Sequence, residues 1–335
     1  MILAIVAVIA GLAVLVWSAD KFVDGAVGVA KFCGMSTLLI GMVVIGFGTS
    51  APEMVVSALS ALQNAPELAL GNAYGSNVAN IALILGVTSV ILPVVVVRKA
   101  LTRDLPILIA VTALSVILVA DGSISRVDGV VLLLVFAGVM GYSIWTEMRK
   151  KSNAAPVGEE PSEVGESVSL GKSVFWLLFG LVLLVVSSRA LVWGAVEIAR
   201  ALGVSDLLIG LTIVAIGTSL PELASSIAAA RKGENDLAFG NIIGSNLFNT
   251  LLVVGIAATI APMKSFGPSV VNRDLPVMAG LTVLLLVFGL PWNKNRVGSD
   301  GRRISRINRL EGAIFLAIYI GYVGLLIAQA TGALK

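Results

Sequence analysis

The sequence predicts an all-α integral membrane protein of ten transmembrane helices, arranged as two inverted five-helix repeats. Three observations carry that expectation. Apolar runs of roughly 18 residues or more, long enough to span a bilayer, recur along the chain. The chain is 57 % hydrophobic and 13 % charged, where soluble domains carry about 25 % charge. Two matching stretches, GTSAPE at 48–53 and GTSLPE at 217–222, set a proline and a glutamate inside such runs, five spans apart.

The spans are expected at 2–20, 37–62, 67–95, 104–120, 127–147, 173–199, 206–230, 236–262, 274–291 and 310–331. The first has no basic stretch ahead of its apolar core and no small-residue cleavage site behind it, so it reads as a retained span rather than a signal peptide. Residues 1–147 then form the first repeat, 148–172 a flexible cytoplasmic linker rich in Pro, Gly, Ser and charge, and 173–335 the second repeat. The linker is too short for a folded regulatory domain, which needs about 50 residues. Of the 23 Lys and Arg residues, 17 fall in odd-numbered loops and five in even-numbered loops and the tail. Cytoplasmic loops carry that excess, so both termini are expected outside the cytoplasm, in a plasma (inner) membrane protein. The +3 net charge therefore speaks to topology and to the lipid bilayer, with no nucleic-acid partner implied. A single cysteine, Cys33, excludes an intrachain disulfide, and the absence of histidine removes imidazole as a base or soft-metal ligand.

The repeat is explicit. Gly41–Gly86 aligns without a gap on Gly210–Gly255 at an offset of 169, with 18 of 46 positions identical. GNAYGSNVAN meets GNIIGSNLFN, and TRDLP at 102–106 meets NRDLP at 272–276 one residue out of step. Five spans separate each element from its mate, so the second copy enters the membrane in the opposite direction. Inverted repeats with a site near the midplane are a pattern of secondary transporters.

The repeated residues are hard-cation chemistry. Glu53 and Glu222 are carboxylates inside spans, where a charge costs about 2.5–3.5 kcal/mol on insertion scales. Arg189 is the one basic residue well inside a span, and its match in the other repeat is the acid Asp20, so it cannot neutralise both glutamates. A bound cation can. Pro52 and Pro221 lack an N–H, which frees the carbonyls of Gly48 and Gly217. Backbone oxygens at 48–50 and 217–219 with the two carboxylates suit Ca²⁺ or Na⁺ and do not suit copper or zinc. Asn72, Ser76 and Asn80, repeated as Asn241, Ser245 and Asn249, recur at four-residue steps and make a neutral polar stripe on each helix. The pairs Gly71/Gly75 and Gly240/Gly244 form G-x-x-x-G patterns expected to serve close helix packing.

These paired GTSxPE and GNxxGSNxxN motifs, with 18 residues from glutamate to first glycine in each half, resemble the α-repeats of the calcium/cation antiporter superfamily, and within it the prokaryotic Na⁺/Ca²⁺ exchanger branch. The resemblance spans essentially the whole chain and implies a Na⁺-driven Ca²⁺ antiporter with no cofactor and no enzymatic activity. Carried over residue by residue, it implies a Ca²⁺ site of Glu53, Glu222, Thr49 and Thr218. Flanking Na⁺ sites would use Ser50, Ser76, Ser219 and Ser245 with the carbonyls of Gly46 and Ala215, and Asn80 and Asn249 would contact a central position. Several members carry Asp where this chain has Asn80 or Asn249. With only two carboxylates, total charge −2, the site argues against K⁺ co-transport. A H⁺/Ca²⁺ or other divalent-cation antiporter is the alternative, and the motifs lack the extra carboxylates and histidine of that branch. An intramembrane hydrolase at Ser50 or Ser219 would need a base, and the chain offers no histidine and no G-x-S-x-G turn.

Overall fold

Nothing between Ile2 and Cys33 stops a helix, and in this computed structural model the first helix, α1, runs that whole length. The structure describes residues 1–63, 66–153, 169–204, 213, 215–265, 267, 269–290, 305–331 and 333. At 1.5 Å per residue α1 is about 48 Å long, against a hydrocarbon core of about 30 Å. The helix thus runs on past the expected first span, 2–20. Lys21 and Lys31, assigned above to a loop, lie on the helix. It stops at Gly34, which takes the left-handed conformation (φ 63°) and turns its N–H back onto Ala30 and Lys31. Its repeat mate α7, Leu170–Ala201, is equally long.

The other helices are α2 (Thr37–Thr49), α3 (Ala51–Leu62), α4 (Pro66–Ile91), α5 (Ala100–Val119), α6 (Arg126–Asn153), α8 (Ala215–Thr218), α9 (Leu220–Arg231), α10 (Asn235–Ile260), α11 (Val270–Gly289) and α12 (Arg309–Ala330). Eight are long and apolar enough to cross a membrane, and α2 with α3, bent by 46°, can make a ninth. Most of the first part of the expected seventh span, 206–230, lies outside the described residues. The expected third span, 67–95, ends early: Pro93 forces the residue before it out of helical geometry, and Val94–Val96 form a strand, β1. It pairs antiparallel with β2, Ser305–Ile307, Val94 opposite Ile307, so the all-helical expectation needs this small amendment.

Packing is organised by α4 and α10. Their most apolar windows are 72 % and 83 % buried, against 17–39 % for the other single-helix spans, so these two form the centre and the rest face outward on one side. Asn77 on α4 donates to the Thr250 hydroxyl on α10 at 2.7 Å, fastening them at mid-length. Outside this pair α1 and α7 lie antiparallel on a glycine seam. A Cβ on Gly11 would meet Leu191 at 3.1 Å, and one on Gly180, its mate, would meet Phe22 at 2.8 Å. Gly25 likewise abuts Leu177, and Gly194 abuts Ala4. Leu191 and Phe22 are themselves 169 residues apart, so each contact is returned by its own repeat mate.

The G-x-x-x-G expectation holds on one side only. Gly240 and Gly244 press against the backbone of Leu38 and Met42, whereas no described atom lies within 4 Å of a Cβ on Gly71 or Gly75.

The glycine seam sets a test. Gly25→Ala puts a methyl group into the Leu177 backbone, and overpacking of this kind costs about 1–3 kcal/mol. The thermal-unfolding midpoint in detergent should fall by several degrees. Gly138→Ala on α6, with nothing within 4 Å, should leave it unchanged or higher. Equal shifts in both would mean that α1 and α7 do not pack through Gly25.

Candidate cation site

The site begins with two broken helices. α2 and α3 meet at Ser50 (φ −85°, ψ 3°), and α8 and α9 meet at Ser219 (φ −92°, ψ 6°). In each case the proline stands in the first two positions of the second segment and the glutamate in its first turn. Backbone N–H groups there have no partner inside the helix, and the helix dipole favours a carboxylate at that end. Each serine carbonyl restarts the hydrogen bonding, accepting from Met54 N–H (3.1 Å) and Leu223 N–H (3.0 Å).

The two breaks face one another across the repeats. The Ser50 hydroxyl donates to Glu222 Oε1 at 3.4 Å, with Thr49 beside the same carboxylate, and Glu53 is near enough to interact with Glu222 electrostatically. Thr49 Oγ1, which also donates to the Ile45 carbonyl at 3.0 Å, reaches Asn241 Oδ1 at 3.3 Å. Both glutamates are 2 % exposed. Among the described residues every ion pair lies elsewhere, and Arg189 is exposed. Glu53 Oε2, Glu222 Oε2, Ser245 Oγ and Asn249 Oδ1 are buried without a hydrogen-bond partner. Buried carboxylate oxygens without donors are strongly destabilising unless a cation answers them, and this set of hard oxygens fits one. No group of three His, Cys, Asp or Glu that could hold a metal occurs among the described residues, so neutral oxygens must complete any coordination.

Asn72 and Asn241 act as struts. The Asn72 amide donates to the Glu53 carbonyl (3.2 Å) and Ser57 Oγ (3.0 Å), and Asn241 donates to the Glu222 carbonyl (3.4 Å), Ser225 Oγ and Ser226 Oγ. Each amide therefore fixes the backbone of the glutamate in its own repeat, and the Asn241 oxygen accepts the Thr49 hydroxyl across the repeats. Gly46 packs against α10, its Cβ position 3.1 Å from Ser245 N, which brings this expected pair together. The Gly46 carbonyl also accepts Ser50 N–H at 3.1 Å.

Ser76 and Thr218 share a cavity of about 220 Å³ with Gly71, Asn72, Asp274 and Tyr322. Thr218 also borders a second cavity of about 420 Å³ with Pro52, Pro221, Ser188 and Arg189. Ser219, Asn80 and Asn249 are buried nearby in sequence, but among the described residues no hydrogen bond joins them to either carboxylate. Asn80 and Asn249 lie in π-helical turns, 79–85 and 248–253, so the expected four-residue stripe is interrupted there. Ala215 opens α8, and its side chain lies outside the described residues.

One oxygen expected to be free is not. The Ser188 hydroxyl on α7 donates to the Gly217 carbonyl at 3.1 Å. Its first-repeat match is Ala19, so Gly48 has no such cap. The sequence offers no signal for Ser188, because the bond joins elements 29 residues apart.

With this geometry in place, the comparisons decide the family. The family described as sodium/calcium exchanger protein matches residues 3–145 and 172–328. The chain belongs to the sodium/calcium exchanger family. Within its prokaryotic branch, the chain is 42 % identical to a putative antiporter, CaxA, of Alkalimonas amylolytica over 98 % of this chain and all of that one. It is 37 % identical to the inner membrane protein YrbG of Escherichia coli, covering 88 % and 90 %, and 27 % identical to the sodium/calcium exchanger MaX1 of Methanosarcina acetivorans, covering 93 % and 95 %. A solved structure of the sodium-calcium exchanger NCX_Mj, soaked without Na⁺ and Ca²⁺, superposes with a TM-score of 0.80 at 30 % identity, covering 97 % and 99 %. This exchanger-family protein is thus a membrane-spanning cation/Ca²⁺ antiporter, and its relatives are transporters rather than enzymes.

The struts in this exchanger-family site can be tested. Asn241→Leu removes the amide that donates to the Glu222 carbonyl and to the Ser225 and Ser226 hydroxyls, at about 0.5–1.5 kcal/mol for each hydrogen bond lost. The unfolding midpoint should fall, and the further rise on adding Ca²⁺ should shrink. An undiminished Ca²⁺-induced rise would show that Asn241 does not position the Glu222 segment.

Proposed function

We propose that the protein exchanges Na⁺ for Ca²⁺ across the membrane by alternating access, on ten spans in two inverted repeats (1–147 and 173–335) joined by a cytoplasmic linker, 148–172. One observation carries the reading: two carboxylates from opposite repeats are buried together, each with an oxygen that no described protein group satisfies. One Ca²⁺ balances their charge, and so do two Na⁺. Two cargoes that neutralise the same pair compete for it, and a neutral site crosses between the two faces at lower cost than a charged one. Obligatory exchange follows from that charge balance.

In this reading Thr49, Glu53, Thr218 and Glu222 hold Ca²⁺. Ser50, Ser76, Ser219 and Ser245, with the carbonyls of Gly46 and Ala215, hold Na⁺, and Asn80 and Asn249 border the central position. The contacts of Ser50 and Thr49 around Glu222 and of Gly46 beside Ser245 support the grouping. So does the cavity that joins Ser76 to Thr218, which offers a polar approach to it. The glycine seam between α1 and α7 supports these two as the moving pair, because it brings their backbones close at four glycines with no side chain of their own there. The protein sits in the inner membrane with both termini outside the cytoplasm, as the distribution of basic loops suggests.

The test is radioactive Ca²⁺ uptake by proteoliposomes loaded with Na⁺ and diluted into Na⁺-free buffer, beside a matched set driven by a pH gradient. Uptake should require the outward Na⁺ gradient. Removing one member of a buried charge cluster costs about 3–5 kcal/mol, so Glu53→Gln and Glu222→Gln should each weaken Ca²⁺ binding by ~10²–10⁴-fold and abolish uptake at micromolar Ca²⁺. Uptake driven by pH and indifferent to Na⁺ would place the protein with proton-coupled antiporters instead.

A further inference from the structure

At the end of the bundle where α1 stops and α7 starts, a cavity of about 520 Å³ collects charge from three separate elements. Lys21, Asp24 and Lys31 come from α1, Lys172 and Trp176 from α7, and Lys232 with Glu234 from the turn between α9 and α10. Four lysines against two carboxylates leave an excess of two positive charges. Lys232 is engaged, donating to Asp24 Oδ1 and to the Asp20 carbonyl, both at 2.6 Å. Lys21 lies 5.2 Å from the centre of the Trp176 ring. Lys31 and Lys172 have no acidic partner among the described residues.

The depth of this cavity is marked by aromatics. Trp17 and Trp176 meet edge to face at 6.0 Å, and Phe175 and Phe179 stack at 5.3 Å beside them. Trp17, Phe175 and Phe179 are 40–54 % exposed. Exposed tryptophan next to basic residues is the signature of the membrane–water boundary. Basic pockets between membrane helices at that level take lipid headgroups, each lysine contributing roughly a fivefold preference for an anionic lipid.

We propose that this cavity binds the phosphate of an anionic phospholipid headgroup, held by Lys31 and Lys172 with its acyl chains against the Trp17–Phe179 face. The bound lipid ties α1 and α7 to the α9–α10 turn, adding to the Lys232 bonds to Asp24 and Asp20 and to the apolar packing of α1 against α9. Its effect on transport rests on the exchange reading above; the binding does not.

The experiment is native mass spectrometry of the purified full-length protein titrated with phosphatidylglycerol, phosphatidylcholine or inorganic phosphate. Phosphatidylglycerol should bind at least tenfold more tightly than phosphatidylcholine, a preference lost in the Lys31→Gln/Lys172→Gln double variant and kept in Lys264→Gln. An unchanged preference in the double variant overturns the site. Inorganic phosphate binding as tightly as phosphatidylglycerol overturns the lipid as its occupant. In proteoliposomes, adding phosphatidylglycerol to phosphatidylcholine should change the initial Ca²⁺ uptake rate at least twofold in the wild type and not in the double variant. Equal wild-type rates in both lipids overturn the tethering role. A protein that binds the lipid yet carries no Na⁺-driven Ca²⁺ flux in any vesicle overturns the exchange reading and leaves the lipid site standing.

Discussion

Two carboxylates buried against each other, Glu53 and Glu222, are the constraint on which the rest of the structure depends. Low-dielectric surroundings make their repulsion expensive, so the surrounding structure must hold them apart from water and yet ready for a cation. The breaks at Ser50 and Ser219 do part of this by setting each glutamate in the first turn of a short helix, at its favourable end. Asn72 and Asn241 do another part by gripping the glutamate backbones. Both asparagines belong to α4 and α10, the two most enclosed helices, which explains why the polar residues of the site are carried on the least lipid-exposed elements. The outer helices are apolar for the opposite reason: their surroundings are lipid.

Several contacts recur between residues matched across the two repeats, and the departures from that pairing are equally physical. Arg103 pairs with Asp104 and reaches Thr146, just as Arg273 pairs with Asp274 and reaches Gln329. Asp274, however, also accepts the Tyr322 hydroxyl at 2.9 Å, whereas the position that the Thr146–Gln329 offset assigns to Tyr322 is Val139, and Asp104 Oδ2 is left without a partner. Gly240 and Gly244 are packed while Gly71 and Gly75 border a cavity. On the exchange reading, a carrier with one shared site has to be asymmetric in any single state, because access from both faces at once would be a leak. Differences such as these are where one scaffold can hold two shapes.

Much of this was legible in the sequence because it depends on residue chemistry repeated at fixed spacing: the doubled motif, the proline breaks, the glutamates and the asparagine stripes. What was not legible depends on tertiary context. The C-terminal end of α1 was missed because charged residues such as Lys21 and Asp24 suggest a loop, yet a helix continues into water at little cost when nothing stops it. The π-helical turns around Asn80 and Asn249 have no residue-type signature, since the extra residue is absorbed by packing against neighbours. The β1–β2 pair joins segments more than 200 residues apart, beyond any local pattern. Ser188 looked like one small residue among many until the fold set its hydroxyl on Gly217.

Neutral side chains matter as much as charged ones in this arrangement. Asn80 and Asn249 are buried without ionising, and on the exchange reading they keep the site's charge at the value that one divalent or two monovalent cations cancel. A third carboxylate at either position would require a third positive charge before the site could be desolvated, and the same scaffold would then select a different set of cargoes. The Asn77–Thr250 bond, close to both in sequence, fastens α4 to α10, and on the exchange reading this frame stays fixed while α1 and α7 move along their glycine seam. On the exchange reading, selectivity therefore resides in the rigid pair and access in the sliding pair. That division lets the ion site keep its shape as the side from which it is reached changes.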